Sequence, residues 1–235
     1  MKGTSDSAPV VAIDGPSGSG KGTIGRLLAQ RLGWHYLDTG ALYRLVALVA
    51  LKRHIDFGDA PALARAAATL DVRFAPAAAG ERVHLDGVEV GGELRTERTG
   101  DAASKVAVVP EVRAALLQRQ RDFALPPGLV ADGRDVGTVV FPDALLKVVL
   151  TASAEARAMR RHKQLKEKGI DVSLPDLSWD IAQRDARDAN RTVAPFKPAP
   201  DAQVIDSTSL TPEEVVAHIL SRLEGVGVVA QRAKK

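Results

Sequence analysis

A glycine-rich segment near the beginning of the chain has the residue types and spacing that bind phosphate groups. Its glycines allow backbone conformations that turn successive N–H groups towards one anion, and a helix after the segment would add its positive N-terminal end. Lys21 is placed to reach the β- and γ-phosphates of a nucleotide, so we predict that it is catalytic. The predicted nucleotide-binding residues are Gly15, Pro16, Ser17, Gly18, Ser19, Gly20, Lys21, Gly22 and Thr23.

The residue after Lys21 bears on which nucleotide this loop binds. The usual P-loop pattern has Ser or Thr there, whose hydroxyl holds a metal ion, but this chain has Gly22. The sequence also lacks the Asp-x-x-Gly and Asn-Lys-x-Asp segments of guanine-nucleotide GTPases. We therefore expect ATP. The simpler alternative is a glycine-rich turn that binds no nucleotide.

Charged side chains recur in three later segments, and arginine is prominent in each. Phosphoryl transfer gathers negative charge in one cleft, where positioning and cations stabilise the transition state. Arginine suits this task because its planar guanidinium stays charged and can bind phosphate oxygens in bidentate fashion. The segments are 38–44, with Thr39 and Arg44; 132–138, with Asp132, Arg134 and Asp135; and 184–191, with Arg184, Asp188 and Arg191.

The first two segments each have a functional and a simpler interpretation. Thr39 and Arg44, at the start of a predicted helix, suit an acceptor-phosphate site, or else they are a plain N-cap and a solvated arginine. Asp132 ends an apolar strand, where a P-loop protein has the carboxylate that orients Mg²⁺ through its waters. The run Asp-Gly-Arg-Asp that begins there is also typical of a surface turn.

The third segment lies in a charged helical stretch that carries further arginines. Arg184, Asp188 and Arg191 are spaced i, i+4 and i+7, so they share one helix face, either to hold phosphates or as ion pairs in solvent. Earlier in the stretch, Arg157 and Arg161 are candidates for arginines that approach the phosphates of ATP when a lid closes. Their alternative is to be solvated.

The hydrophobic pattern places these residues on a parallel α/β sheet. An apolar run at 10–13 precedes the loop, and apolar residues recur at helical spacing from Lys21 to Leu32, with a C-cap at Gly33. A second strand at 35–37 and a helix at 41–52 complete a unit that implies parallel strands. Further strands are predicted at 129–131, 146–150 and 203–205, and a last helix at 211–223. Ligands bind at the carboxyl edge of such sheets.

Two segments interrupt this plan. Asp71–Gly92 alternates apolar and polar residues between turn residues, which predicts a small antiparallel sheet. Ala154–Asn190 is helical and charged, with a break at 169–175. We interpret both as insertions that project from one core.

Composition excludes several classes of protein. The chain of 235 residues has no cysteine, which rules out disulfides, a thiolate nucleophile and cysteine-ligated metals. Aromatic residues make up 4% and the net charge is only +3, so we expect no nucleic-acid partner. No apolar stretch has the length of a membrane span, and residues 1–8 lack the apolar core of a signal peptide. We expect a cytoplasmic monomer that does not bind membranes.

Four segments together resemble the bacterial cytidylate kinases, a family of nucleoside monophosphate kinases. The likeness covers nearly the whole chain, and the Gly-Lys-Gly-Thr form of the loop is typical of these kinases. The segments are Ile-Asp-Gly-Pro-Ser-Gly-Ser-Gly-Lys-Gly-Thr from Ile13, Leu-Asp-Thr-Gly-Ala-Leu-Tyr-Arg from Leu37, Asp-Gly-Arg-Asp-Val-Gly-Thr-Val-Val-Phe-Pro from Asp132 and Arg-Asp-Ala-Asn-Arg from Arg187. The resemblance implies a five-stranded parallel core flanked by helices, a mobile helical lid, and an acceptor-binding insertion that contains a small antiparallel sheet.

The resemblance also implies the reaction and its residues. The γ-phosphoryl group of ATP would pass in line to CMP or dCMP, with Mg²⁺ and without a covalent enzyme intermediate. Cytosine would contact Ser104, Arg113 and Asp135, because a carboxylate can accept from its amino group whereas uracil presents an acceptor there. The residues around the ribose and phosphate would be Thr39, Arg44, Arg134, Arg184, Asp188 and Arg191, of which Arg134, Arg184 and Arg191 join Lys21 as catalytic residues. The family usually has Ser where Thr39 stands, and the added methyl bears on how ribose and deoxyribose are distinguished.

The expected organisation follows from the same likeness. The core comprises 9–38, 113–152 and 184–228, the acceptor-binding insertion 39–112 and the lid 153–183, with 1–8 and 229–235 disordered. Two rival functions stay open at this point. One is a P-loop kinase for another small acceptor, such as a sugar or a different nucleotide, and the other is a nucleotide-binding regulatory or RNA-binding module without turnover.

Overall fold

The computed structural model describes residues 8–77, 80–167, 169, 171–190 and 196–225. The strands are β1 Val10–Asp14, β2 His35–Asp38, β3 Val72–Ala77, β4 Gly80–Leu85, β5 Val88–Glu89, β6 Leu129–Gly133, β7 Leu146–Thr151 and β8 Gln203–Asp206. The helices are α1 Lys21–Leu32, α2 Thr39–Lys52, α3 Ala60–Ala68, α4 Gly91–Leu94, α5 Glu97–Val106, α6 Pro110–Arg121, α7 Ala154–Lys166, α8 Leu174–Asn190 and α9 Pro212–Gly225, with a π-helical turn at Val136–Val140.

Five strands form a parallel sheet in the order β2-β6-β1-β7-β8. Every residue of β1 and of β6 is buried, as expected for central strands that helices cover on both faces. The register aligns Asp14 of β1 with Gly133 of β6, and Asp38 of β2 with Asp132 of β6. The predicted parallel sheet is therefore confirmed. Because β8 ends in Asp206, four strands of the sheet carry an aspartate to the same carboxyl edge.

Helices α1 and α9 pack together beside the sheet. Ile24 and Leu28 of α1 join Ile219 and Leu223 of α9 in one buried cluster with apolar residues of β1, β6 and β7. The predicted bounds of α1 are confirmed, and Gly33 caps it with a φ of 67°, a conformation that favours glycine.

The last helix begins with a capping box. Thr211 Oγ1 accepts a hydrogen bond from Glu214 N at 3.3 Å, and Glu214 Oε2 accepts one from Thr211 N at 2.8 Å. Two N–H groups at the start of α9 are thereby satisfied.

The chain forms two compact units. The first runs to Asp38 and resumes at Gln120, and the second is Thr39–Arg119. The second unit has its own core around α2 and α5, with Leu42, Leu45 and Leu63 fully buried. Its start coincides with that of the predicted insertion, and its end lies beyond the predicted one. The division into core, insertion and lid stays a prediction.

The small antiparallel sheet of the second unit has the order β3-β4-β5. The connection from β4 to β5 is Asp86-Gly87, and both residues have positive φ values, 50° and 80°. A two-residue turn with positive φ at both positions matches the twist of the two strands that it connects. The meander predicted within Asp71–Gly92 is thus confirmed.

The predicted start of one helix needs correction, and the predictions for the two chain ends lie mostly outside the described residues. Helix α2 begins at Thr39 instead of Ala41, because β2 continues into it without a linker, so Thr39 is a helical residue and not the preceding N-cap. The predictions for 1–8 and 229–235 lie outside the described residues, except for Ala8, which is buried. Among the described helices, none combines the length and the apolar character that crossing a membrane requires.

Candidate functional site

The loop between β1 and α1 has the geometry of a phosphate-binding loop. Gly20 precedes α1 with a φ of 92°, which an L side chain rarely adopts. At Gly15 a Cβ atom would lie 2.4 Å from the Leu150 carbonyl oxygen, so the loop can pass this close to β7 only as glycine. The first hydrogen bonds of α1 run from Thr23 N and Ile24 N to the Gly20 carbonyl, both at 3.0 Å. The N–H groups before them are suited to an anion.

Lys21 and Asp132 form the charged centre of the sheet edge. Burial lowers the pKa of Lys21, and the guanidiniums of Arg134 and Arg184 lower it further. Burial raises the pKa of Asp132, the neighbouring Asp38 adds to this, and Lys21 opposes it. Lys21 and Asp132 therefore stabilise each other's charge, and three predicted catalytic cations lie within electrostatic range of one another.

Tyr36 holds Asp132 from the neighbouring strand. Its hydroxyl donates to Asp132 Oδ2 at 2.5 Å, and burial raises the pKa of the phenol. A Cβ atom at Gly25 would lie 2.8 Å from a ring carbon of Tyr36, so glycine lets α1 pack directly on the ring. The Arg26 guanidinium carbon lies 5.0 Å from the ring centroid, within the range of a cation–π contact. Tyr36 thus fixes the carboxylate at the end of β6.

The loop after β6 brings two predicted acceptor-site residues together. Arg134 Nε donates to Asp188 Oδ2 at 2.6 Å, and both side chains are largely buried. Arg184 lies one turn earlier than Asp188 on α8, and its charge lowers the pKa of Lys21. The structure therefore joins the second and third charged segments of the sequence at one edge of the sheet.

Asp14 binds the backbone of the same loop. Its Oδ1 accepts from Val136 N at 2.9 Å and its Oδ2 from Gly137 N at 2.8 Å. Burial raises the pKa of Asp14 to about 6, although the two N–H donors oppose the rise. Asp135 precedes the π-helical turn, yet its own side chain makes no capping hydrogen bond. The aspartate that caps this turn comes from another strand.

Arg157 is integrated into the protein and contacts the phosphate-binding loop. Its Nη1 donates to the Ser17 carbonyl oxygen at 3.0 Å, and its Nη2 lies 2.6 Å from Asp185 Oδ2. A Cβ atom at Gly18 would lie 3.0 Å from the Cβ of Arg157, so α7 packs directly on the loop. Because the residue is 6% exposed, the solvated alternative is wrong for Arg157. Its contact with ATP stays a prediction.

A cavity of about 380 Å³ lies beside the loop and is lined by Gly18, Ser19 and Gly20. Arg160 and Arg161 line it together with Ser207, and Arg160 Nη1 donates to Ser207 Oγ at 3.1 Å. Ile24 and Val215 contribute an apolar wall. An apolar wall with a few polar groups at its rim suits a nucleobase.

The remaining predicted residues of the described chain belong to the second unit. Thr39 is buried in the first turn of α2, and Arg44 Nη1 donates to the Leu94 carbonyl oxygen at 2.7 Å. Arg113 donates to the Ala107 carbonyl oxygen at 3.3 Å, and its guanidinium carbon lies 5.8 Å from the centroid of the Tyr43 ring. Ser104 is half-buried on α5. Their contacts with an acceptor stay predictions.

One predicted site residue is not described by the structure, and three residues that support the site were not predicted. Arg191 lies outside the described residues. Sequence reasoning missed Asp14, Tyr36 and Arg160 as residues that support the site. For Asp14 a signal was available, because it ends a buried strand directly before the loop. Tyr36 and Arg160 reveal their roles only through partners that are distant in the sequence.

Comparison with known proteins gives a consistent result. The profile of the cytidylate kinase family, described as "Cytidylate kinase", matches residues 11–225. A cytidylate kinase of Bordetella pertussis is 57% identical over 213 residues, which cover 91% of this chain and 94% of that protein. One from Aeromonas salmonicida is 55% identical over 217 residues, covering 92% and 94%.

Likeness to solved structures is weaker. The crystal structure of TT1252 from Thermus thermophilus aligns with a TM-score of 0.46 and 18% identity, over 93% of this chain and 99% of that one.

Proposed function

Since the chain belongs to the cytidylate kinase family, we propose that it transfers the γ-phosphoryl group of ATP to CMP or dCMP, giving ADP and CDP or dCDP. One observation of the site carries the proposal. Lys21 of the phosphate-binding loop shares its surroundings with Arg134 and Arg184, which both lower its pKa. Three mutually repelling cations at one sheet edge are stabilised by a ligand with several negative charges, as two nucleotides would provide.

The donor nucleotide occupies the loop and the cavity beside it. The loop N–H groups and Lys21 hold the β- and γ-phosphates, and the adenine lies in the cavity lined by Arg160 and Arg161. Arg157 binds the Ser17 carbonyl oxygen and thereby holds the shape of the loop. Arg161, which lines this cavity, approaches ATP as the lid closes, and the closed lid excludes water from the reacting phosphate.

The residues present fit a magnesium ion that arrives with ATP. The described residues contain no group of three or more His, Cys, Asp or Glu side chains that could hold a metal by themselves. Mg²⁺ typically keeps several waters and binds through one or two carboxylates together with substrate phosphates. Asp132, 2% exposed and fixed by Tyr36, would hold the ion through a water molecule. When bound, the ion neutralises charge on the β- and γ-phosphates.

The acceptor phosphate is held by arginines. Arg134, Arg184 and Arg191 bind its oxygens and stabilise the charge of the transferred group, while Asp188 orients Arg134 and contacts the ribose. Thr39 and Arg44 also contact the acceptor. Transfer occurs in line from ATP to the acceptor oxygen, so no covalent enzyme intermediate forms.

Cytosine is selected by hydrogen-bond complementarity. The Asp135 carboxylate accepts from the exocyclic amino group, and Ser104 and Arg113 donate to the ring acceptors. Uracil sets a carbonyl against Asp135, which leaves buried polar groups without partners and costs affinity.

A coupled assay tests the proposal directly. ADP formation is followed with ATP–Mg²⁺ and each of CMP, dCMP, UMP and AMP. We expect CMP or dCMP to have the highest kcat/KM. Another preferred acceptor would contradict the substrate assignment, and ATP binding without turnover on any nucleotide would support a regulatory module instead.

Arg191→Ala tests the clamp on the transferred phosphate. We expect kcat to fall by roughly 10²-fold while the affinity for ATP changes little, because the side chain acts on charge that develops during transfer. Arg187→Ala is the matched control, since this arginine is exposed on α8. An unaffected kcat in Arg191→Ala would remove Arg191 from the mechanism.

We propose a monomer that works in the cytoplasm, where its nucleotide substrates are found. Sedimentation of the purified protein at several concentrations, with and without both nucleotides, tests the monomer.

A further inference from the structure

The carboxylate of Asp14 has no role in the reaction proposed above, yet its geometry connects the two loops on which that reaction depends. Asp14 is the last residue of β1 and is followed directly by the phosphate-binding loop. Its two oxygens accept from two successive N–H groups 122 and 123 residues later, those of Val136 and Gly137. We propose that Asp14 is a positioning residue that fixes the loop carrying Arg134 and Asp135, and through it the acceptor. This inference rests on the proposed function of that loop.

The two N–H groups are the ones that a helical turn leaves unpaired at its beginning. An aspartate directly before such a turn normally satisfies one N–H group of the first turn with its own side chain, that of the second or third residue. Here Asp135 is in that position and makes no capping hydrogen bond, whereas Asp14 supplies both oxygens. Asp14 therefore caps the turn in place of Asp135. The Asp135 carboxylate can point elsewhere while the N–H groups of Val136 and Gly137 keep their hydrogen bonds.

The contact is built to be rigid. Asp14 is 6% exposed, and its partners Val136 and Gly137 are buried as well. The backbone adds a second connection, because Gly15 N donates to the Gly133 carbonyl oxygen at 3.3 Å. A buried carboxylate with two charge-assisted hydrogen bonds resists rotation. The backbone at Val136 is therefore held in place, and with it the positions of Arg134 and Asp135.

The pair of hydrogen bonds from Val136 N and Gly137 N to Asp14, here called the clasp, holds an ionised carboxylate at neutral pH. Burial raises the pKa of Asp14 to about 6, with Asp135 adding to the rise, while the two N–H donors and the Arg134 guanidinium oppose it. Asparagine has nearly the same shape but only one acceptor, and its amide N–H₂ would face one of the two N–H groups. Asp14→Asn therefore opens the clasp on one side without leaving a cavity.

The test compares Asp14→Asn with wild type in hydrogen exchange and in kinetics. We expect one of the two amides, that of Val136 or of Gly137, to exchange at least about 10-fold faster in the variant, since it loses a hydrogen bond to a charged group. The KM for CMP should rise about 10-fold by the same reasoning, while the KM for ATP stays within about 2-fold. Asp59→Asn is the control, because Asp59 caps α3 by accepting from Ala62 N and has no role in the site.

Either of two results would overturn the inference: amides that exchange as in wild type, or equal rises of the two KM values. If Asp14→Asn does not fold, Asp14→Ala serves, because it introduces no donor against the N–H groups, and the same selective loss is expected. The exchange measurement needs no substrate. A wild type that prefers another acceptor would therefore refute the proposed function while the clasp remains measurable.

Discussion

Two loops at the carboxyl edge of the sheet follow neighbouring strands and offer different groups to a ligand. The loop after β1 leads into α1, a helix of 12 residues, and offers backbone N–H groups to an anion. The loop after β6 leads into a π-helical turn of 5 residues, whose first N–H groups are bound by Asp14. What this second loop presents is side chains, Arg134 and Asp135.

The difference between these loops explains what each can recognise. Backbone N–H groups and a helix terminus recognise phosphate whatever is attached to it, which suits a common donor such as ATP. Side chains in fixed directions distinguish one base or one phosphate position from another, which suits a specific acceptor. Mutations in the first loop should therefore impair turnover with every acceptor, and those in the second should act selectively.

The largest effect is expected from Lys21→Met, which removes the cation of the first loop. Loss of the group that stabilises the transferred phosphate should lower kcat by about 10³-fold for CMP and dCMP alike. The measurement is steady-state ADP release at saturating nucleotides. Lys52→Met is the matched control, because Lys52 is exposed in a surface ion pair with Glu93. Loss of activity on CMP with retained activity on dCMP would contradict the general role of this loop.

In the second loop, Arg134→Ala should act mainly on the acceptor. It removes the guanidinium that pairs with Asp188 at 2.6 Å. We expect kcat/KM for CMP to fall by about 10²-fold, while the KM for ATP rises less than about 3-fold. Arg134→Lys keeps the charge but not the planar fork, so it should restore only part of the activity. Full activity in Arg134→Lys would mean that charge alone suffices.

The two loops also differ in how far their structure could be predicted. Glycines at fixed spacing, a preceding apolar run and helical periodicity after Lys21 were sufficient for the first loop and for the parallel sheet. The sequence also indicated the charged residues of the second loop. It did not reveal that Asp188 pairs with Arg134, 54 residues away, or that Asp14 caps the turn at Val136. Such pairs depend on tertiary packing, which leaves no periodic signal in the chain.

Arg157 illustrates the same limit. Its position in a charged helix predicted a lid arginine or a solvated side chain. In the structure Arg157 is buried between the Ser17 carbonyl oxygen and Asp185. No local pattern distinguishes it from Arg160 and Arg161, which are half-buried. The start of the helix at Ala154 was predicted correctly because its charged composition is a local feature.

The connection between the loops should be visible in the pH dependence of stability. Burial raises the pKa of Asp14 from 3.8 to about 6, with Asp135 adding to the rise and Arg134 opposing it. The folded state then binds the proton more tightly, so this contribution to stability is present below pH 3.8 and is lost as the pH rises through about 6. Relative to Asp14→Asn, the free energy of unfolding of wild type should fall by about 3 kcal/mol on going from pH 3.8 to pH 7.

Urea unfolding at a series of pH values measures this difference. Asp201→Asn provides a control of opposite sign. The hydrogen bond from Lys147 lowers the pKa of Asp201, so its contribution is present at neutral pH and is lost as the pH falls. A wild-type stability that tracks Asp14→Asn at every pH would show that the clasp carboxyl does not titrate in this range.

The smallest effect is expected from Tyr36→Phe, which acts from strand β2 on Asp132, at the end of β6 just before the second loop. The change removes the hydroxyl that donates to Asp132 Oδ2 and keeps the ring that packs on Gly25. A buried carboxylate oxygen that loses its donor should lower the free energy of unfolding by about 1–2 kcal/mol, measured by urea titration at pH 8. Because the ring remains, the KM for CMP should change little, whereas the magnesium concentration for half-maximal activity should rise. If CMP binding weakened more than the magnesium dependence, Tyr36 would belong functionally to the second loop alone.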